Sequence, residues 1–423
     1  MVTEDLIIIG NGFDLSVGLK SSYKDYYDYV SFELLDITLN EFYNDFVKEL
    51  RNIPNDLPES IKCNFNIKTK DWRRNTHRYN QSEDPYVNRF EVKFHLSDED
   101  RSKFEHLSFW DLLFIMQKQQ NSNWYQIEDS IKNFLIGNNT SNNDPFSYNI
   151  FNKGSINNLY AKDDFKDETY VVYFLKYFFQ EVYPENRWKE PQSNIDFLLS
   201  ELKILENNFC SYLKEAVNKT QNYNGKSFKL LRSILGVKDD NLKNLTIRLL
   251  SFNYTTPNLN HNKYFGELIS SNIHGTLNTN DIIFGIDQTG IQPTDISYPF
   301  TKTYRQLTDI NLSNKQKNIL PKPQSINNIY FYGHSLSSLD YSYFQSIFDY
   351  YDIYSSNVRL FFCYKTFDNK TNLQLQKEIA NLAINLLTSY SNSIENLEHR
   401  KNMIHKLLIE DRLKIKEIKN KTF

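Results

Sequence analysis

Hydrophobic residues along this chain fall into two patterns. One is short and unbroken. Leu6-Ile7-Ile8-Ile9 is wholly apolar, mostly β-branched, and stops at Gly10. Such a run predicts a strand buried on both faces, as in a parallel sheet. The same pattern returns in Leu245–Phe252, in Asp281–Phe284 before Gly285, in Asn328–Tyr332 before Gly333, and in Asn357–Tyr364. Most of the strand signal thus sits at residues 5–9 and in the chain after residue 244.

The other pattern is helical. Apolar and aromatic residues recur at helical spacing over 23–50, 104–136 and 169–216, while 62–103 and 137–168 are polar excursions rich in Asn, Asp, Lys and Ser. After residue 370 an amphipathic stretch runs through Leu373, Leu375, Ile379, Leu382 and Ile384, then Ile404–Leu408. This predicts an α/β fold. A Rossmann-like parallel core over 1–24 and 236–368 is interrupted by a mostly helical insertion over 25–235. A helical tail over 369–423 follows, of the kind that packs on the core or joins copies into a homo-oligomer. No internal repeat is visible.

Composition narrows the functional classes. The 423 residues carry 49 Lys and Arg against 52 Asp and Glu, a net charge of −3, so no general field attracts nucleic acid or an anionic membrane. The chain is 40% hydrophobic and 15% aromatic, enough for a sizeable core. No apolar run is long enough to cross a bilayer. MVTEDLIIIG places acids before a short apolar run, the wrong order for a secretion signal. Cys63, Cys210 and Cys363 are too few and too scattered for a disulfide framework or a clustered metal site. The expectation is a cytoplasmic protein without a membrane partner.

Candidate chemistry sits where the strand-type runs end. In a parallel sheet those ends share one edge, where ligands bind. Gly10-Asn11-Gly12-Phe13-Asp14 follows the first run. It suits either a nucleotide cradle, whose glycines admit a phosphate, or a structural tight turn; the three-glycine dinucleotide fingerprint is absent. Ser251-Phe252-Asn253 follows the second, and an amide there serves as a cap or holds a ribose hydroxyl or a water. His274-Gly275 suits a base where the backbone must turn, or a structural histidine. Gly285-Ile286-Asp287 closes the third run. Gly333-His334-Ser335 leads to Asp340, a phosphate- or ribose-facing loop with an acid as cap or hydroxyl partner, and it lacks the last glycine of a hydrolase nucleophile elbow. Trp124 and Glu128 share a helix face in the insertion.

In that order these motifs resemble the AbiH family of bacterial phage abortive-infection proteins. The resemblance rests on Leu6–Leu15 with Gly18–Tyr23, Ser251–Thr255, Ile273–Gly275, Phe284–Asp287, and Tyr332–Leu336 with Asp340. The family in turn resembles sirtuin-type NAD-binding domains, with a Rossmann-like fold of the sirtuin and deoxyhypusine-synthase kind. That resemblance implies NAD as substrate, cleaved at its nicotinamide–ribose bond by an NAD glycohydrolase that needs no metal. It implies Gly10, Asn11, Gly12 and Phe13 at the diphosphate, Asn253 at the ribose or the attacking water, His274 as base, and Asp14 as electrostatic stabiliser. It also implies Ser251, Gly275, Asp287, Gly333, His334, Ser335 and Asp340 around the nucleotide, and a phage-encoded trigger. Two positions depart from the sirtuin pattern. Thr255 stands where an Asp is usual, and Asp14 where a hydroxyl residue is usual. The four-cysteine zinc module of deacetylases is missing. Three other readings stay open: another nucleotide or ADP-ribose enzyme, with Asp14, Glu128, Asp287 and Asp340 supporting a metal; a nucleotide sensor without turnover; and an interaction protein.

Overall fold

The computed structural model describes residues 4–29, 32–51, 97–118, 127–136, 167–190, 193–236, 246–257, 267–308, 318–337, 340–366 and 370–418. The chain divides into two compact units. One comprises Met1–Tyr26, Phe209–Pro293 and Tyr298–Phe423; the other comprises Tyr27–Asn208 and Thr294–Ser297.

The first unit is built on six parallel strands, β1 (Glu4–Ile9), β2 (Thr246–Ser251), β3 (Glu267–Asn272), β4 (Ile326–Tyr332), β5 (Arg359–Tyr364) and β6 (Leu413–Glu417). Their order across the sheet is β3-β2-β1-β4-β5-β6. Strand order therefore reverses at β1, and a crevice opens at such a point beyond the carboxyl ends of the strands. The continuous apolar run of β1 has a direct cause. Leu6 and Ile8 enter a core with Leu250, Phe331, Leu360 and Phe348, while Ile7 and Ile9 enter a second core on the opposite face with Leu249, Tyr332 and Leu231. The side chains of Leu6, Ile7, Ile8 and Ile9 are almost fully buried, each contributing about 1.5–3 kcal/mol.

Short helices flank this sheet. α1 (Asn11–Ser16) follows β1 directly. α2 (Tyr23–Tyr29) passes from the first unit into the second after Tyr26, and within the second unit lie α3 (Phe32–Arg51), α4 (Asp98–Glu105), α5 (Phe109–Lys118), α6 (Ile127–Ile136), α7 (Asp167–Val182) and α8 (Glu185–Lys189). The long α9 (Asn194–Lys219) and α10 (Tyr223–Leu235) lead back to β2. α11 (Lys302–Thr308), α12 (Tyr341–Tyr350), α13 (Asn372–Ser391) and α14 (Leu397–Ile409) complete the first unit. α13 begins at a capping box in which Thr371 and Gln374 each bond the other's backbone N–H.

Two sequence expectations are corrected. Asp281–Phe284 is buried but is not a strand. Its Ile283 N–H bonds the His274 carbonyl, and beyond it only Ile286 forms an isolated bridge, to Thr301. A buried apolar run reports burial, not a ladder. The tail is also not wholly helical. After α14, Leu413-Lys414-Ile415-Lys416-Glu417 joins the sheet as β6, paired with β5. Its alternating lysines hide it among the charged helical sequence and suit an edge strand.

In the second unit, α7 packs its aromatic face onto α3, α4 and α5, with Phe174 against Phe46 and Phe178 against Phe104. The start of α5 is fixed twice. Asp111 Oδ2 accepts from the Ser108 N–H and hydroxyl at 2.9 and 2.8 Å. Glu201 reaches over from α9 to accept the Phe109 N–H at 2.8 Å. Arg187 neutralises Glu201 at 2.8 Å and donates to the Glu105 and Leu107 carbonyls, both at 2.7 Å. Among the described residues no helix is long and apolar enough to cross a membrane.

Candidate functional site

At the reversal point the loops after β1 and β4 lie against each other. The Gly10 N–H bonds the Tyr332 carbonyl at 3.2 Å and the Gly12 N–H bonds the Gly333 carbonyl at 2.7 Å. A Cβ on Gly12 would stand 2.7 Å from Gly333 Cα, and one on Gly10 2.7 Å from His334 Cα. The glycines here admit a neighbouring loop, and two of their amides are directed at it. The Asn11 side chain accepts the Ser21 hydroxyl at 2.5 Å. Gly333 itself has φ +68°, and a Cβ there would lie 2.3 Å from the Phe13 nitrogen. Gly333→Ala is therefore expected to lower stability by about 1–3 kcal/mol, from the left-handed backbone and the loop displacement together. Urea unfolding of the full chain reads this; an unchanged midpoint would contradict the packing described.

One polar group forms around Asp14. Its side chain is buried in α1, where Oδ1 accepts the Tyr223 hydroxyl at 2.8 Å and Oδ2 the Thr255 hydroxyl at 2.6 Å. Burial pushes its carboxyl up to about 6, against the pull of Thr255, Tyr223 and Asn253. The Asn253 amide is close enough to favour ionised Asp14 but meets no hydrogen-bond geometry. Its Oδ1 and Nδ2 are both buried and unpartnered. Its backbone is held firmly: Ser251 Oγ accepts the Asn253 N–H at 3.1 Å, and Asn272 Nδ2 donates to the carbonyls of Asn253 and Thr255 at 2.6 and 2.9 Å. Thr255 and Asp14 thus form a single buried contact.

A second group centres on Asp340. This residue occupies the N-cap position of α12, yet its side chain caps nothing. Oδ1 accepts from Lys302 Nζ at 2.7 Å and lies 3.3 Å from His274 Nε2, while Oδ2 lies 3.3 Å from His334 Nε2. Burial would raise the carboxyl, but the Lys302 charge and the two imidazoles overcome it and hold Asp340 well below the usual range. His274 is pushed down to about 4 by burial and by the Lys302 charge, against the pull of Asp340, so it is neutral near pH 7. Its Nδ1 is buried and unpartnered. The ring stands edge-on to Phe252 and Tyr343, each with centroids 5.6 Å away. The Tyr343 hydroxyl is likewise buried without a hydrogen bond. Behind His274, Gly275 has φ +86°, and a Cβ there would strike the Asp281 carbonyl at 2.1 Å.

The structure brings Asp14, Asn253 and Ser251 together, and separately His274, His334 and Asp340. Among the described residues no hydrogen bond joins the two groups. Register brings them near each other. Ser251 pairs with Asn272 across β2 and β3, so Asn253 and His274 each stand two residues beyond the same register pair on neighbouring strands. Asp287 is occupied otherwise, accepting the Thr289 N–H at 2.7 Å and the Ser342 hydroxyl at 3.0 Å. Phe13 is core, and Ser335 is exposed. Glu128 lies in α6 of the second unit, and Trp124 falls outside the described residues. Among the described residues no three His, Cys, Asp or Glu side chains group to hold a metal ion. Sequence reading missed Lys302, Tyr223, Asn272 and Tyr343 as site residues. Of these only Asn272, beside a noted motif, carried a local signal.

A family profile described as bacteriophage abortive infection AbiH matches residues 6–364. Neither the comparison with curated proteins nor that with solved structures gives a match.

Proposed function

The chain belongs to the AbiH family of bacteriophage abortive infection, and from that premise we propose that it acts in infected cells by cleaving the nicotinamide–ribose bond of NAD. One observation carries the reading. Asn253 and His274, buried at matched register on neighbouring strand ends, keep unpartnered polar atoms at the edge where α/β sheets bind nucleotides. Buried polar groups are rarely left unpaired in a finished fold, so a ligand is their natural partner.

The reaction needs little from the protein. The bond between ribose C1′ and the nicotinamide nitrogen breaks, and its electron pair leaves with the nitrogen. That neutralises the pyridinium, so no general acid is required. The sugar passes through an oxocarbenium-like state, and water oxygen then bonds to C1′. Ionised Asp14 favours the cationic sugar electrostatically. The Asn253 amide, both donor and acceptor, orients the ribose or the water. His274 Nδ1 accepts the proton that the water loses.

A pH dependence follows from these roles. Asp14 acts as an anion and His274 as a neutral base, so both limits lie on the acid side. Asp14, with its carboxyl near 6, is ionised last as pH rises, and it sets the acid limb. His274, near 4, is already neutral there. The rate of NAD cleavage should rise through pH 6 and level off. Thr255→Val, which removes a donor to the carboxylate, should move the limb to higher pH. A limb that stays in place in this variant would assign it to another group.

The reading itself is tested in cells expressing the protein, before and during infection, by mass spectrometry of NAD, nicotinamide and ADP-ribose. Loss of NAD with matching nicotinamide supports it. Protection with steady NAD rejects it. One observation favours a second reading in that case. The Gly10 and Gly12 amides face the β4 loop, which leaves fewer donors for a diphosphate and suits another ribose-bearing nucleotide.

A further inference from the structure

We propose that Lys302 is a positioning residue for His274, holding it through Asp340 in the tautomer that carries its proton on Nε2 and offers Nδ1 to the substrate. This rests on the reading of His274 as the base.

A count of donors around Asp340 makes the case. An ionised carboxylate only accepts. Leu336 is held at φ +53°, unusual for a leucine, and its N–H donates to His334 Nδ1 at 2.9 Å. His334 must then carry its own proton on Nε2, aimed at Asp340 Oδ2. Lys302 is a donor without an acceptor site. With Lys302 and His334 both donating, Asp340 stays ionised and can face His274 Nε2 only as an acceptor. The His274 proton is thereby fixed on Nε2, and the free lone pair lies on Nδ1.

The short helix α11 is placed for this task. Lys302 grips Asp340, Arg305 donates to the Phe284 carbonyl at 2.5 Å, and Gln306 donates to the carbonyl of Ile273 at 2.7 Å, the residue before His274. Spacing of three and four residues puts these side chains on one helical face. The helix is itself seated where the Lys302 N–H bonds the Ile286 carbonyl at 3.0 Å. The lysine charge also helps keep His274 neutral.

The test is nitrogen-resolved NMR of the His274 ring in the full chain, with NAD turnover measured beside it. Wild type should show Nε2–H and a bare Nδ1. Lys302→Met should give mixed tautomers and lower kcat by about 10- to 100-fold with KM little changed, as when other groups that orient a working imidazole are lost. Lys302→Arg should restore both. Asp340→Ala gives an independent check. It removes the acceptor at His274 Nε2, so the His274 proton should no longer be held there and the ring should show mixed tautomers. Wild type with Nδ1–H, or either variant keeping pure Nε2–H, overturns the proposal. The expected tautomers without any NAD turnover in infected cells would instead sink the proposed reaction and leave the positioning role standing.

Discussion

If the proposed reaction holds, replacing His274 by alanine is expected to lower NAD cleavage by about 10²–10⁴-fold and to abolish phage protection, while the chain stays folded. The folding half of that expectation follows from the surroundings. His274 removes an unpartnered polar atom with it, and Asp340 keeps Lys302 at 2.7 Å and His334 at 3.3 Å. No buried charge is stranded, so the change costs packing and little more. His334→Asn sets the contrast. Its Nδ1 already accepts the Leu336 N–H, so it cannot serve as a base, and its loss should be milder. Mass spectrometry of nicotinamide released in infected cells compares the two. Equal losses would mean that the histidines act only as a structural pair.

The second large effect is on stability. Arg187→Ala is expected to cost about 3–5 kcal/mol, because it strands Glu201 in an almost fully buried position. The same change also frees the Glu105 and Leu107 carbonyls. By contrast, the exposed Lys103–Glu99 pair at 3.0 Å lies one turn apart on α4 and is worth about 0.5 kcal/mol or less. Proton linkage gives a further signature. Burial already raises the Glu201 carboxyl, and loss of Arg187 raises it further. A raised folded-state value favours the native state at low pH and loses that advantage as pH rises. The variant should therefore be least stable above neutrality and partly recover in mild acid. Denaturation at pH 5.5 and 8, with exchange of the Phe109 amide, measures both points. A pH-independent loss would argue against a stranded carboxylate.

Much of the sheet was legible because burial on both faces leaves an unmistakable apolar run. β1, β2, β4 and β5 announce themselves in this way. β3 and β6 do not, since edge strands need only one covered face and tolerate Ser270, Ser271, Lys414 and Lys416. Asp281–Phe284 misled for the opposite reason, being buried without pairing. At the site, Asn253 stood out just beyond an apolar run, His274 by its place before Gly275, and Asp340 in the loop after Gly333. Lys302 and Tyr223 did not, because each reaches its acid from a helix distant in sequence. No local pattern marks a partner that only the fold supplies. The Asp14–Thr255 hydrogen bond shows the same limit, because its two ends lie 241 residues apart in the chain.

The pairing of Ile9 with Ser251, and of Tyr364 with Glu417, bears on how the protein is made. Leu6–Ile9 is made before its neighbour β2, which follows only after the described helices α1 to α10. At about 5–20 residues per second, that strand waits on the order of ten seconds or more for a partner. Asn253, His274, Lys302 and Asp340 arrive later still. A nascent chain thus carries its Gly-Asn-Gly loop long before it carries His274. On the proposed reaction, a translation product interrupted before β2 would lack Asn253, His274 and Asp340 together.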